Sequence, residues 1–370
     1  MRFVFRVDAS SEIGTGHLRR CLSLAHEIRT QGLDVLFVCR QHDFDYGPLF
    51  LRESFEFVAL PPAPEPTLVD PDAPAHARWA RADWSFDAAE TIAATQAGNV
   101  DWVIVDHYAF DARWHAKVGE ALQCRLAVID DLADRSLLAD VVIDHNFHPD
   151  HQAKYRNVMS GIGCLLAGPR YALISNAYAE TPKYAFRDDV ASIGIFLGGI
   201  DLLHVTPVAL DAVRAAGFEG VVEIALTSAN PDVASIQAMA DSDGRCSLSI
   251  DLPDLARFFA RHDLQIGAGG GAIWERCCMG APTIGLVCAE NQRYSLPYLH
   301  DEHVLLAVDI LAVASECRLR HISHAVMTTL SQPTLRREMS ETASRLVDGL
   351  GVARITRILA TEFSGHDHGC

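Results

Sequence analysis

FVFRVDASSEIGTGHLRRCLSLAHEI, residues 3–28, decides how the whole chain is read. Phe3, Val4, Phe5 and Val7 make a short apolar run, Gly14 and Gly16 mark a turn, and Leu18, Cys21, Leu22, Leu24, Ala25 and Ile28 then recur at helical spacing. Strand, glycine-bearing loop and amphipathic helix in that order open a doubly wound α/β sheet. The alternation continues outward. LDVLFVC (33–39), DWVIVDHY (101–108), RLAVIDD (125–131) and DVVIDHN (140–146) are continuous β-branched runs, which suit strands buried on both faces of a parallel sheet. The proline-rich stretch from Pro61 to Pro74 reads as an exposed loop.

A second series follows a proline- and charge-containing segment, Thr181 to Asp189: ASIGIFLGG, VVEIAL, SLSI, DLQIGAGGG and PTIGLVC, with helical patterns between them. The expected fold class is therefore α/β, two Rossmann-like domains facing across a cleft, with the active site in that cleft beyond the carboxyl ends of the strands. The expected division is residues 1–168, a linker over 169–190, a second domain over 191–345, a C-terminal helix over 346–363 and a disordered tail over 364–370. The last amphipathic pattern, around Gly349 and Gly351, either closes the second domain or crosses back to the first.

A length of 370 residues agrees with two domains, and 49% apolar against 21% charged residues is the balance of a globular protein. The formal charge of −17 repels generic polyanions, which argues against nucleic acid and acidic membrane surfaces as partners. Arg6 and Asp8 interrupt the N-terminal apolar run before a signal-peptide core forms, and no segment reaches membrane-span length, so a cytoplasmic location is expected. The ten cysteines show no CxxC or zinc-type spacing and are expected as thiols in a reducing compartment; no metal or other cofactor is expected.

Three glycine turns follow predicted strands. In the first, Asp8 to His17, Gly14 and Gly16 let the backbone approach a ligand, and His17 falls at a helix start. There the helix dipole disfavours imidazolium and leaves a ring able to act as general base; the alternative is a histidine that only fills a turn. The second, Gly267 to Arg276, offers backbone N–H groups and a helix N-terminus to a diphosphate, with Glu275 placed for ribose hydroxyls. It also fits a dinucleotide fingerprint, although it comes after three other predicted strands rather than opening its domain. The third, Gly198-Gly199-Ile-Asp201, reads equally as a ligand contact or a tight βα connection. Asp106-His-Tyr108 and Ala289-Glu-Asn291-Gln292 end further strands. Asp130-Asp131 and Asp144-His-Asn146 read as capping and strand-end polar contacts rather than metal sites.

With RVDASSEIGTGHLRR, VIVDHY, VIDD, GPRYALI, FLGGID, GAGGGAIWERCCMGAP and AENQ in this order, the chain resembles the bacterial UDP-sugar hydrolases of pseudaminic acid biosynthesis, within the GT-B glycosyltransferase-like superfamily. The resemblance implies a GT-B fold with the nucleotide held mainly by the C-terminal domain. It implies His17 as the catalytic histidine, with Tyr108 and Asn291 near the reacting sugar. Gly199, Gly270, Gly271, Ala272 and Glu275 would line the nucleotide site, and Asp8, Gly14, Gly16, Gly198 and Gln292 complete the candidate substrate-binding set. Many relatives carry Ser-Thr or Ser-Ser where this chain has Gly271-Ala272-Ile273, so backbone N–H groups alone would meet the phosphates. The implied reaction is hydrolysis of UDP-2,4-diacetamido-2,4,6-trideoxy-β-L-altropyranose to the free sugar and UDP, with C–O cleavage and anomeric inversion. The rivals are a GT-B glycosyltransferase using a UDP-sugar donor, a nicotinamide-dependent oxidoreductase and a non-catalytic nucleotide-sugar sensor. The oligomeric state is left open, a monomer included.

Overall fold

The apolar runs assemble into two parallel sheets. The structure, a computed structural model, describes residues 1–63, 70–95, 98–160, 163–201 and 203–362, without the side chains of Asn291 and Glu362. The tail expected over 364–370 lies outside the described residues, as does part of the proline-rich stretch.

The chain divides into two units, residues 1–146, 150–175 and 350–370 in the first and residues 147–149 and 176–349 in the second. The first contains β1 (Arg2–Val7), β2 (Asp34–Arg40), β3 (Glu56–Leu60), β4 (Trp102–Asp106), β5 (Arg125–Ile129), β6 (Leu137–Leu138), β7 (Val141–Asp144), β8 (Met159–Ser160) and β9 (Cys164–Ala167). Seven of them form a sheet of order β3-β2-β1-β4-β5-β7-β9, and β6 pairs with β8 alone. The second unit contains β10 (Ser192–Phe196), β11 (Val221–Leu226), β12 (Cys246–Ile250), β13 (Leu264–Ala268), β14 (Thr283–Val287) and β15 (Leu306–Asp309), in the order β12-β11-β10-β13-β14-β15. All these ladders are parallel. In both units the order reverses beside the first strand, between β1 and β4 and between β10 and β13. A doubly wound sheet opens a crevice for ligands at such a switch.

The helices of the first unit are α1 (Gly16–Thr30), α2 (Gly47–Glu53), α3 (Trp84–Thr95), α4 (Ala112–Leu122) and α5 (His151–Tyr155). Those of the second are α6 (Ala177–Glu180), α7 (Val205–Ala215), α8 (Val233–Ser242), α9 (Ala256–Arg261), α10 (Ala272–Met279), α11 (Leu296–Asp301), α12 (Arg318–Ser331) and α13 (Pro333–Leu346). On β1, Phe3, Phe5 and Val7 face one core with Leu18, Leu24 and Ile28 of α1, while Val4 faces the other with Val103 and Trp114. The alternation along a strand puts Arg6 on the same side as Val4, where it meets Asp87 of α3.

The C-terminal pattern splits between the units. α13 stays in the second, and α14 (Gly351–Arg357) returns to pack on α1, burying Val352, Ile355 and Leu359 in the first core. Trp102 of β4 fixes that return by donating its indole N–H to the Leu359 carbonyl at 3.2 Å. Gly351 admits the crossing, because a Cβ there would collide with the Ala172 backbone. The chain changes unit after Ser175, inside the stretch expected as a linker, and the last helix begins at Gly351 rather than 346. No helix among the described residues is long and apolar enough to cross a membrane.

Candidate active site

In the first unit the switch point carries a histidine–carboxylate pair. After β1 the chain turns through Gly14, whose φ of +77° suits glycine and whose N–H bonds the Ser10 carbonyl at 2.8 Å. α1 then starts at Gly16, where a Cβ would meet open space, and His17 is its second residue. Parallel register sets Val7 beside Asp106, so the carboxylate ending β4 stands next to the start of α1. His17 Nδ1 lies 2.6 Å from Asp106 Oδ1. An aspartate acceptor at this distance assigns the proton to Nδ1 and leaves the Nε2 lone pair as the base. Arg20 Nη2 lies 3.2 Å from the same Nδ1, but an arginine only donates, and this nitrogen bonds Asp106 Oδ1 at 2.7 Å instead.

Asp106 is buried, which alone would raise its pKa; the Arg20 guanidinium and the His17 ring outweigh burial and hold it well below the usual carboxylate range.

Arg20, one turn after His17, ties this pair to a second carboxylate. Its Nη1 reaches Asp131 at 3.3 Å, and Asp131 also accepts the Tyr108 hydroxyl and the Asn146 amide, the latter at 2.9 Å. Against the effect of burial, Arg20 and the Tyr108 hydroxyl bring the Asp131 carboxyl down to about 2. Burial and Asp131 push the Tyr108 phenol well up, so it is neutral and donating. Its ring meets His17 edge-on, centroids 4.7 Å apart, and Trp79 stands 6.0 Å from His17 and 5.6 Å from Tyr108. Two aromatic rings thus wall the base.

Asp8 does not belong to this surface. It is fully buried, with Oδ1 taking Arg6 Nη1 and the Arg40 N–H at 2.7 Å, while Oδ2 takes Arg6 Nη2 at 3.0 Å and faces His107 Nε2 at 3.1 Å. Its oxygens are occupied by protein donors. The substrate-binding role expected for Asp8 is therefore corrected: it is one half of an internal ion-pair network with Arg6, Arg40 and Asp87. Asp130 and Asp144 are likewise engaged internally, by Arg135 at 2.7 Å and by Lys154 at 2.6 Å and the Asn146 N–H at 3.0 Å.

In the second unit the glycine turn after β13 leads into α10. The Gly269 N–H bonds the Leu286 carbonyl at 3.1 Å, and a Cβ at Gly269 would collide with Leu296, so glycine is needed there for packing. Among the described residues, the N–H groups of Gly270 and Gly271 have no backbone acceptor, and no side chain caps α10. A Cβ at Gly271 would meet nothing within 4 Å; at Gly270 it would meet only Gln292 Nε2, at 3.9 Å. Gln292 is held there by its own Oε1, which accepts the Cys288 N–H at 2.8 Å. Free N–H groups at Gly270, Gly271 and the helix start at Ala272 make an anion-binding arrangement.

Glu275, half-buried one turn on, faces the Tyr178 hydroxyl; burial first and then this carboxylate push that phenol up. Across the switch point, Gly198 (φ +99°) is open, whereas Gly199 packs on Thr227, whose hydroxyl donates to the Gly199 carbonyl at 2.6 Å. Asp201 caps α7 through the Thr206 N–H at 2.7 Å. Asn291 belongs to a 3₁₀ turn, Glu290–Tyr294, and its side chain lies outside the described residues.

The sequence pattern does not disclose the contacts of Arg20, Asp131 and Trp79 with the His17–Asp106 pair and Tyr108. Arg20 was detectable as the i+3 neighbour of His17 on one helix face. Trp79 sits in a short 3₁₀ segment, Ala77–Ala80, that no periodicity marks.

No family model matches the chain. It is 22% identical over 264 residues to the spore coat polysaccharide biosynthesis protein SpsG of Bacillus subtilis (strain 168), covering 70% of this chain and 76% of that protein. Among solved structures it is similar to MurG of Acinetobacter baumannii (TM-score 0.62, 15% identity, 97% of this chain and 99% of that one). It is also similar to a putative UDP-N-acetylglucosamine 2-epimerase from Listeria monocytogenes (0.62, 15%, 100% and 98%) and to LpCGTa in complex with UDP (0.64, 11%, 97% and 99%). The fold is α/β with parallel sheets, shared with these structures and with the glycotransferase of kitacinnamycin (TM-score 0.65, 14% identity, 97% and 98%).

Proposed function

We propose that this protein hydrolyses a UDP-sugar at its anomeric C–O bond, with His17 as general base. The observation that carries this reading is the His17–Asp106 pair at a strand switch point, with Nδ1 2.6 Å from the carboxylate and Nε2 left to accept a proton. Water loses a proton to Nε2 as its oxygen attacks the anomeric carbon from the face opposite UDP. The bond to the β-phosphate oxygen breaks, its electron pair leaves with UDP, and the configuration inverts. A glycosidase needs a second carboxyl group to protonate a poor leaving group. A diphosphate leaves as a stabilised anion, so one base and a preorganised anion site suffice.

The second unit would hold the nucleotide, the diphosphate on the N–H groups of Gly270, Gly271 and Ala272, the ribose at Glu275, with Gly198, Gly199 and Gln292 around them. Tyr108 and Asn291 would contact the reacting sugar. The substrate follows from the sequence resemblance: UDP-2,4-diacetamido-2,4,6-trideoxy-β-L-altropyranose, giving 2,4-diacetamido-2,4,6-trideoxy-L-altrose in pseudaminic acid biosynthesis. Similarity to SpsG, named for polysaccharide biosynthesis, and to a protein solved with UDP supports the nucleotide-sugar part.

The second reading is a glycosyltransferase, favoured by the several similar structures named as glycosyl- or rhamnosyltransferases. One incubation separates the two. With the UDP-sugar and no acceptor, hydrolysis releases UDP to completion at a rate first order in enzyme; release that waits for an added hydroxyl acceptor makes the protein a transferase.

A further inference from the structure

The glycine turn after β13 lies against a buried cation. Arg276, in the second turn of α10, has no exposed surface. Its Nη2 donates to the Ala268 carbonyl and its Nη1 to the Phe196 carbonyl at 3.5 Å, while Nε has no hydrogen-bond partner among the described residues. Those two carbonyls belong to the last residues of β13 and β10, the strands that flank the switch point. No carboxylate forms an ion pair with the guanidinium among the described residues; Glu275, Tyr178, Cys277 and Cys288 are its titratable neighbours. Burial pushes its pKa down to about 10, still far above neutrality, so the group keeps its charge. Burying a charge without a carboxylate partner is unfavourable.

Gly267 makes room for it. A Cβ at that position, inside β13, would collide with the guanidinium and lie 2.6 Å from the Phe196 carbonyl oxygen. A side chain is thus absent from the middle of a buried sheet to seat the cation, and this glycine serves Arg276 rather than a ligand. The turn itself has neither lysine nor hydroxyl: Gly269, Gly270, Gly271, Ala272 and Ile273 offer backbone only, in a chain of net charge −17.

We propose that Arg276 is the positive charge of the diphosphate site, acting through the field it sets up under the Gly269–Gly271 turn and without touching the ligand. The inference rests on the reading of this turn as the UDP site. In a low-dielectric interior a fixed charge acts over a longer distance than one in water, and it needs no reorganisation when the anion arrives.

The test compares UDP with uridine, which lacks the diphosphate, by calorimetric titration of the full chain. Wild type is expected to bind UDP more tightly than uridine. Arg276→Met, close in shape and uncharged, is expected to bind UDP at least about tenfold more weakly, or about 1.4 kcal/mol, with uridine affinity unchanged. Arg276→Lys keeps the charge and loses the fork to the two carbonyls; its UDP-to-uridine ratio should stay within about twofold of wild type. Equal losses for both ligands in Arg276→Met would make Arg276 a packing residue and overturn the proposal, as would unchanged UDP binding. Should Arg276→Met not fold, the lysine variant decides alone, since loss of its UDP preference overturns the proposal. A wild type that does not bind UDP overturns the site reading itself.

Discussion

His17 is set up by a residue 89 positions away. Asp106 fixes the ring tautomer, Arg20 bonds Asp106, and Asp131 bonds Arg20, so the base depends on three charged groups brought together by the registers of β1 with β4 and of β4 with β5. Asp106→Asn is expected to lower kcat by on the order of 10²–10⁴-fold by presenting an amide in place of the carboxylate, while UDP affinity stays as in wild type. His17→Asn should abolish turnover with UDP binding kept; steady-state rates near wild type in either variant would remove the pair from the chemistry. Of these residues the sequence disclosed His17, because a histidine between a glycine turn and a helix is a local pattern. Asp106 was visible as a strand-end carboxylate, but not as the partner of His17, since pairing across 89 residues depends on register. Asp8 misled for the same reason: the strand-end position suggested a ligand contact, and only the sheet order shows Arg6, Arg40 and His107 closing around it.

At the scale of elements, the central strands were legible and several edges were not. β1, β4, β5, β10 and β13 are buried on both faces and read as mainly apolar runs. β3, β9 and β15 lie at sheet edges, are short and only partly buried, and carry little of that pattern. The glycine turns were legible as turns, but what each glycine serves was not: Gly267 admits a guanidinium, Gly269 admits Leu296, and Gly270 and Gly271 leave N–H groups open. Gly269→Ala should therefore displace α11 or the turn, costing about 1–3 kcal/mol of stability and weakening UDP binding. Gly271→Ala meets no neighbouring atom and should leave stability within about 0.5 kcal/mol, measured by denaturant unfolding. Equal stability losses in the two variants would contradict this division of roles. The return of α14 to the first unit was one of two open readings, decided by packing of Val352, Ile355 and Leu359 that the helical pattern alone does not specify.

For the whole molecule, the charge of −17 does not set the potential at each site. Arg20 stands between two carboxylates in the first unit, and Arg276 in the second donates to the Phe196 and Ala268 carbonyls, so buried cations persist in a chain of net negative charge. Among the buried histidines of the first unit, His115 and His145 are each brought down to about 3 by burial first, then by Arg135 and Arg20 respectively. A histidine whose folded pKa is depressed stays neutral in the fold while the unfolded chain protonates, so stability falls as pH drops from about 6.5 towards 3. The slope is about 1.4 kcal/mol per pH unit for each histidine. Four of the five tryptophans, Trp79, Trp84, Trp102 and Trp114, lie in this unit, so fluorescence-detected urea unfolding at pH 7 and pH 5 reads it directly. The midpoint should be clearly lower at pH 5, and equal midpoints would contradict the buried neutral state.

The central claim is that water is the acceptor and His17 its base. An NMR time course with UDP-2,4-diacetamido-2,4,6-trideoxy-β-L-altropyranose, wild-type protein and no acceptor tests it most directly, following the anomeric proton and UDP together. Equimolar UDP and free sugar are expected, the sugar first formed as the inverted anomer before mutarotation, with no turnover in His17→Asn. Retention of configuration, or a substrate left intact until a hydroxyl acceptor is added, would contradict it.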